Sequence, residues 1–153
     1  MAVYQIVEVP NPILKARAKE VAKINAGVLR VLDNMRDTLY AADGVGLAAP
    51  QIGISKRMVV IDIDGESYME LINPEIIERE GEQFGPEACL SVPGMQGMVR
   101  RSKKVTVKAL NREGEEFTVT GEDLLARAFQ HEIDHLNGIV YTELAERLDQ
   151  REE

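Results

Sequence analysis

The chain has 153 residues, a formal net charge of −8 at pH 7, 44% hydrophobic and 29% charged residues. A chain of this length buries about 68–70% of its unfolded surface, so it can build a core without disulfides or a structural metal, and any metal it holds points to catalysis. The acidic balance argues against specific nucleic acid or anionic membrane as a partner, no run is long enough to cross a bilayer, and a single cysteine, Cys89, excludes an internal disulfide.

The start, Met-Ala-Val-Tyr-Gln-Ile-Val-Glu-Val-Pro, has neither a basic stretch before an apolar run nor an Arg/Ser-rich bias, so a cytoplasmic address is expected. No repeat, low-complexity linker or shift in composition divides the chain, which reads as one catalytic domain over 1–153. After the Asn11-Pro12 breaker a helical turn or two fits residues 13–19. A longer helix fits Asn25 to about Ala42, with Asn25 as cap and Val28, Val31, Leu32, Met35, Leu39 and Ala42 at helical spacing. Gly44 and Gly46 end it. Strands are expected at 57–63, 68–72 and 75–79, and residues 85–94 read as loop. The basic cluster Arg100, Arg101, Lys103 and Lys104 reads as a solvated strand end rather than a phosphate site. A hairpin follows at 104–110 and 115–120, then a helix from about Glu122 to Asn137 stopped by Gly138, then a charged tail expected in solvent. Helix, antiparallel-looking strands and helix make an α+β fold.

The last helix carries His131-Glu132-Ile133-Asp134-His135, and both histidines of the chain are in it. At 100° per residue, Leu124, Ala128, His131 and His135 share a narrow arc with Glu132 and Leu125 beside it. Leu136, Phe129 and Ile133 extend the apolar side, and Arg127, Gln130, Asp134 and Asn137 take the opposite face. Two imidazoles and a carboxylate therefore point inward from a hydrophobic wall. A buried, unpaired carboxylate is costly, and a metal with its water beside two histidines one turn apart would satisfy it. Two satisfied core histidines are the alternative.

A catalytic site of this kind needs a third protein ligand and one open position. The spacing used by metzincins would put a third histidine at position 141, which is Tyr141, and Glu143, Glu146, Glu152 and Glu153 belong to the charged tail. Cys89 is the remaining soft ligand. Alone it would be read as a small buried hydrophobe; beside an incomplete metal site it is read as a ligand. Cys-His-His suits Fe²⁺, Zn²⁺, Co²⁺ or Ni²⁺ and fits Ca²⁺ or Mg²⁺ badly. A thiol hydrolase with Cys89 as nucleophile and a histidine as base is the rival reading, and it leaves Glu132 and the second histidine without work. A third segment, Gly44-Val45-Gly46-Leu47-Ala48-Ala49-Pro50-Gln51, is no dinucleotide loop, because it ends a helix instead of opening one. Its glycines allow a close backbone approach, and Gln51 offers an amide donor.

Gly44 to Gln51, Glu87-Ala88-Cys89-Leu90-Ser91 and His131 to His135, in this order and spacing, resemble the peptide deformylases, with the likeness running from Val9-Pro10-Asn11-Pro12 to about Glu143. The resemblance implies antiparallel sheets packed around a central metal-binding helix, with an N-terminal helix. It implies removal of the formyl group from N-formylmethionyl nascent peptides, with Fe²⁺ as usual metal and Zn²⁺, Ni²⁺ or Co²⁺ as substitutes. Metal-bound water would attack the formyl carbonyl, with Glu132 as general base and then acid. The Gln51 side chain and Leu90 N–H would meet the oxyanion, and backbone around Val45, Gly46 and Ala88 would bind the peptide as an added strand. Three points depart from the family: Ala88 stands where most members have glycine, Gln96 replaces an arginine found in some, and the short acidic tail offers no assured helix for a transient ribosome contact.

Overall fold

A computed structural model describes residues 2–150. In chain order the elements are α1 (Ala26–Ala41), β1 (Gly46–Ala48), β2 (Met58–Ile61), β3 (Met69–Glu80), β4 (Gln83–Cys89), β5 (Val92–Arg101), β6 (Lys104–Leu110), β7 (Glu116–Glu122), α2 (Asp123–Leu136) and β8 (Arg147–Gln150). A five-stranded antiparallel sheet runs β1-β2-β3-β6-β7, and a three-stranded one runs β4-β5-β8. This is the expected α+β arrangement.

The strand period distributes one sequence between two cores. In β2, Val59 and Ile61 join Phe129, Ala126 and Leu136 of α2, whereas Met58 and Val60 join Leu32, Met35 and Leu39 of α1. The five-stranded sheet is thus buried on both faces. Each of the side chains of Val59, Val60 and Ile61 is at most 1% exposed, and each such burial stabilises by about 1.5–3 kcal/mol. The α1 helix begins where expected, the Asn25 side chain accepting from the Val28 N–H at 3.0 Å. The second helix ends against Arg57, whose guanidinium donates to Leu136 O at 2.9 Å and to Asn137 Oδ1 at 3.0 Å, and the backbone then turns at Gly138 (φ 76°).

Three segments differ from the sequence reading. Residues 68–72 and 75–79 are parts of one strand, β3, which passes the Asn73-Pro74 interruption through a register shift between Ile72 and Glu75. Asn73 takes φ 51°, and its side chain bonds both the N–H and the C=O of Val21. Residues 83–101, of which 85–94 read as loop, form the β4–β5 hairpin. Pro86 is tolerated there because β4 is an edge strand, and the two-residue turn Leu90-Ser91 closes it. The tail keeps its side chains mostly in solvent but lends its backbone to the sheet as β8, paired with Met95 to Met98. Gly97 permits this approach: a Cβ there would lie 2.8 Å from both Ala145 Cβ and Leu148 Cδ2. Among the described residues no helix is long and apolar enough to cross a membrane.

Candidate metal and catalytic site

Cys89 at the end of β4 and His131 and His135 on α2 converge, with one ligand atom from each lying within 4.8 Å of the others. All three are buried, at 8%, 8% and 1% exposure. Cys89 Sγ lies 3.3 Å from His135 Nε2. The donor chemistry fits a borderline or soft divalent cation, one thiolate and two imidazoles being available for three positions. Tyr141, the position a metzincin would give to histidine, instead stacks its ring on His131 at 5.9 Å between centroids.

Glu132 lies beside this cluster, 4% exposed, with Oε2 at 3.9 Å from His131 Nε2 and Oε1 without a hydrogen-bond partner among the described residues. Burial above all pushes its carboxyl up to about 7, with His131 pulling the other way. Burial likewise holds His135 well below its ordinary value, and the neighbouring His131 adds to this, so it stays neutral. Burial opposes charge on His131 too, but Glu132, Cys89 and Glu87 outweigh it and hold that imidazole well above its ordinary value. A cation at the same atoms competes with that proton.

Gln51 follows β1 in a short 3₁₀ turn and is 1% exposed. Its Oε1 accepts from the Ala48 N–H at 2.9 Å, which turns Nε2 towards Ser91 Oγ at 3.2 Å and Cys89 Sγ at 3.5 Å. An amide donor is therefore aimed at the cluster before any ligand arrives. Leu90 is the first residue of the β4–β5 turn, where the ladder leaves its N–H unused. The extended N-terminal stretch ties these two segments together, Val7 N–H donating to Gln51 O at 2.7 Å and Val9 N–H to Ser91 O at 2.9 Å.

A cavity of about 410 Å³ opens over the cluster, walled by Val45, Gly46, Ala88, Leu124 and Ala128 together with Glu132. The Val45 carbonyl is taken by the Asp62 N–H at 2.8 Å, so strand alternation turns the Gly46 N–H and C=O to the free edge of β1. Gly46 also makes room for the carboxylate: a Cβ there would lie 2.6 Å from Glu132 Oε2. Ala88 lies between the paired residues Glu87 and Cys89, where the register shifts and the extra residues fall on β5 between Val92 and Gly97, and it is exposed on the cavity side.

Two sequence expectations need correction. Arg101 is no solvated strand end; at 7% exposure it holds Glu87 through two bonds of 2.8 and 2.9 Å and reaches Asp134 at 2.5 Å. Arg127 and Gln130, on the polar face of α2, are buried as well, at 7% and 3%. That face meets the β4–β5 hairpin through hydrogen bonds instead of water, Gln130 spanning Ser102 and Arg127 reaching Gly85, Val99 and Glu87. Glu87, which the sequence reading left unassigned, anchors this layer. One oxygen faces His131 Nδ1 at 2.8 Å and the other takes Arg127 Nη1 at 2.6 Å. Burial opposes its ionisation, but the bonds from Arg101 and His131 prevail and hold its carboxyl well below the usual range.

A family model described as polypeptide deformylase matches residues 3–151. The chain belongs to the polypeptide deformylase family. A peptide deformylase of Syntrophomonas wolfei is 64% identical over 145 residues, which cover 95% of each chain. A solved peptide deformylase from Legionella pneumophila superposes with a TM-score of 0.91 at 47% identity, covering 94% of this chain and 86% of its own. The structure from Thermotoga maritima gives 0.92 at 40% identity, covering 96% and 100%. Of the departures from the deformylase pattern, the Ala88 Cβ faces the cavity rather than Cys89, because the two alternate along β4, and Gln96 pairs with Asp149 of β8.

Proposed function

We propose that Cys89, His131 and His135 hold the metal, that Glu132 moves the protons, and that the Gln51 amide and the Leu90 N–H receive the negative charge that grows on the formyl oxygen. As a member of its family the chain is a metal-dependent hydrolase that removes the formyl group from formylmethionine at the start of nascent polypeptides, releasing formate. The observation that carries the division of roles is the meeting of three buried ligand atoms within 4.8 Å beside a buried carboxylate oxygen without a hydrogen-bond partner among the described residues.

Fe²⁺ is the native cation in this reading, with Zn²⁺, Ni²⁺ or Co²⁺ able to replace it, as one thiolate and two imidazoles allow. Bound there, such a cation supplies Lewis-acid activation of water near neutral pH. Glu132 accepts the proton of the attacking water and returns it to the leaving amine. Gln51 is already oriented by Ala48, so its donor costs no reorganisation as charge develops. The methionine side chain lies in the apolar part of the cavity near Val45, Leu124 and Ala128, and the peptide backbone runs along the free edge at Gly46 and past Ala88. Recognition through backbone leaves residues after methionine largely unread. Residues 1–153 act as one catalytic domain in the cytoplasm, and the nascent chain is met in a transient contact with the ribosome that does not use a helix at Arg147–Gln150, since that segment is β8.

The test is formate release from formyl-Met-Ala-Ser by protein purified anaerobically with its metal, beside Glu132→Ala. Release by the parent and a loss of about 10²-fold or more in the variant are expected. No formate from metal-replete parent refutes the activity, and full activity in Glu132→Ala refutes the proton-carrying role and favours the thiol hydrolase.

A further inference from the structure

The metal ligands come from two elements that share little apolar contact: Cys89 ends β4, and both histidines lie on α2. What joins β4 to α2 near the cluster is polar. Arg127 lies one turn before His131, its side chain 9% exposed. Its Nη1 donates to Gly85 O at 3.3 Å, to Glu87 Oε2 at 2.6 Å and to Val99 O at 3.1 Å, and its Nη2 donates to Gln83 Oε1 at 3.2 Å. Three of these acceptors lie on β4 and one on β5. Glu87 then carries the link onward, its other oxygen meeting His131 Nδ1 at 2.8 Å. That bond leaves Nε2 as the ligand nitrogen. The strand is also shaped for the guanidinium. Gly85 is buried with no side chain, and a Cβ there would lie 3.1 Å from Nη2 and 3.6 Å from Cζ. The same arginine walls the substrate cavity.

We propose that Arg127 is a positioning residue that clamps the cysteine-bearing strand to the histidine-bearing helix, presetting the distance between Cys89 and His131 and joining the wall of the side-chain pocket to the metal ligands. The inference rests on the assignment of Cys89, His131 and His135 as the ligand set. A rigid element with two separate anchors is what such a site needs, because ligand atoms left to find one another lose affinity to the ordering they must undergo. Arg101 holds Glu87 independently, so loss of Arg127 loosens the strand without freeing the carboxylate.

The experiment uses the full chain loaded with Co²⁺, whose visible and thiolate charge-transfer bands report the ligand geometry, and measures the Co²⁺ dissociation constant by competition with a chelator. Arg127→Met keeps the apolar stem but removes the clamp; Arg127→Lys keeps one charged donor; Gly85→Ala keeps every charge and displaces the guanidinium. Outer-shell partners of metal ligands are worth about 10- to 100-fold in affinity, and a weakening of that size is expected in Arg127→Met. A smaller weakening is expected in Arg127→Lys and in Gly85→Ala, with the bands shifted in all three. If Co²⁺ binds the variants as tightly as the parent with unchanged bands, the clamp is refuted, whatever happens to KM. If Arg127→Met does not fold, Gly85→Ala decides by the same two readings. Failure of the ligand assignment is seen separately, as a parent without thiolate bands.

Discussion

Gly46 and Glu132 show how closely single residues are fitted around the reacting centre. Glu132 fits its buried carboxylate beside β1 because the strand passes it without a side chain, and a Cβ at position 46 would come within 2.9 Å of Glu132 Cγ as well as of Oε2. The backbone cannot retreat, since Gly46 pairs with Ile61 and its neighbour Val45 is held by Asp62. Gly46→Ala must therefore move the carboxylate. Overpacking of this kind costs about 1–3 kcal/mol, but the larger consequence is a displaced Glu132 carboxylate, the base of the proposed mechanism. We expect kcat/KM to fall about 10²-fold or more, with the metal content of the purified protein unchanged; a variant of full activity would show that the carboxylate need not sit where it does. At this scale the sequence was informative about chemistry and silent about support. The histidine pair, Glu132, Gln51 and, by elimination, Cys89 were all legible. Glu87 was not, because its stretch read as loop. In a strand, Glu87 and Cys89 are two residues apart and share a face, which is the signal that would have found it.

Among the elements, α1, β3 and the β6–β7 hairpin are tied by Arg112, which meets Glu70 at 2.7 and 2.8 Å and Asp33 at 2.8 Å while remaining one-third exposed. The hydrogen bond from Arg112, partly opposed by burial, holds the Asp33 carboxyl below its ordinary value. A carboxyl shifted this way adds stability above its unfolded value of about 4 and loses it as the pH falls through the folded value. Arg112→Met is expected to cost about 1 kcal/mol at pH 7, a melting shift of about 2–4 °C. The gap to the parent should narrow below about pH 4, and thermal melts across that range check it; a gap independent of pH would mean the arginine acts through packing. The elements carried by clean periodicity, α1, α2, β6 and β7, were readable to within a residue or two. The charged tail hid β8 because its side chains read as solvated while only its backbone pairs, and the other failures share one physical reason, that Pro and Gly weaken the local strand signal where tertiary pairing decides. Pro74 split β3, Pro86 and Gly85 hid β4, and Pro93, Gly94 and Gly97 hid β5. The polar face of α2 misled in a related way, since a face with Arg127, Gln130 and Asp134 reads as wet until a hairpin with Glu87, Arg101 and Ser102 covers it.

Across the whole molecule the site is a junction. The five-stranded sheet contributes Gly46 and leads into Gln51, the three-stranded sheet contributes Cys89 and the turn at Leu90, α2 contributes the histidines and Glu132, and the N-terminal stretch stitches Gln51 to Ser91. No window of the sequence holds more than one of these parts, so the centre exists only once both sheets have closed on α2. In the proposed mechanism, formyl hydrolysis runs through a cation held by Cys89, His131 and His135. Formate release from a formylmethionyl peptide, followed through chelation and readdition of Fe²⁺ under anaerobic conditions, tests that claim directly. Prompt loss of release on chelation and its return with Fe²⁺ or Ni²⁺ is the expected result; release that continues in metal-free protein would contradict it.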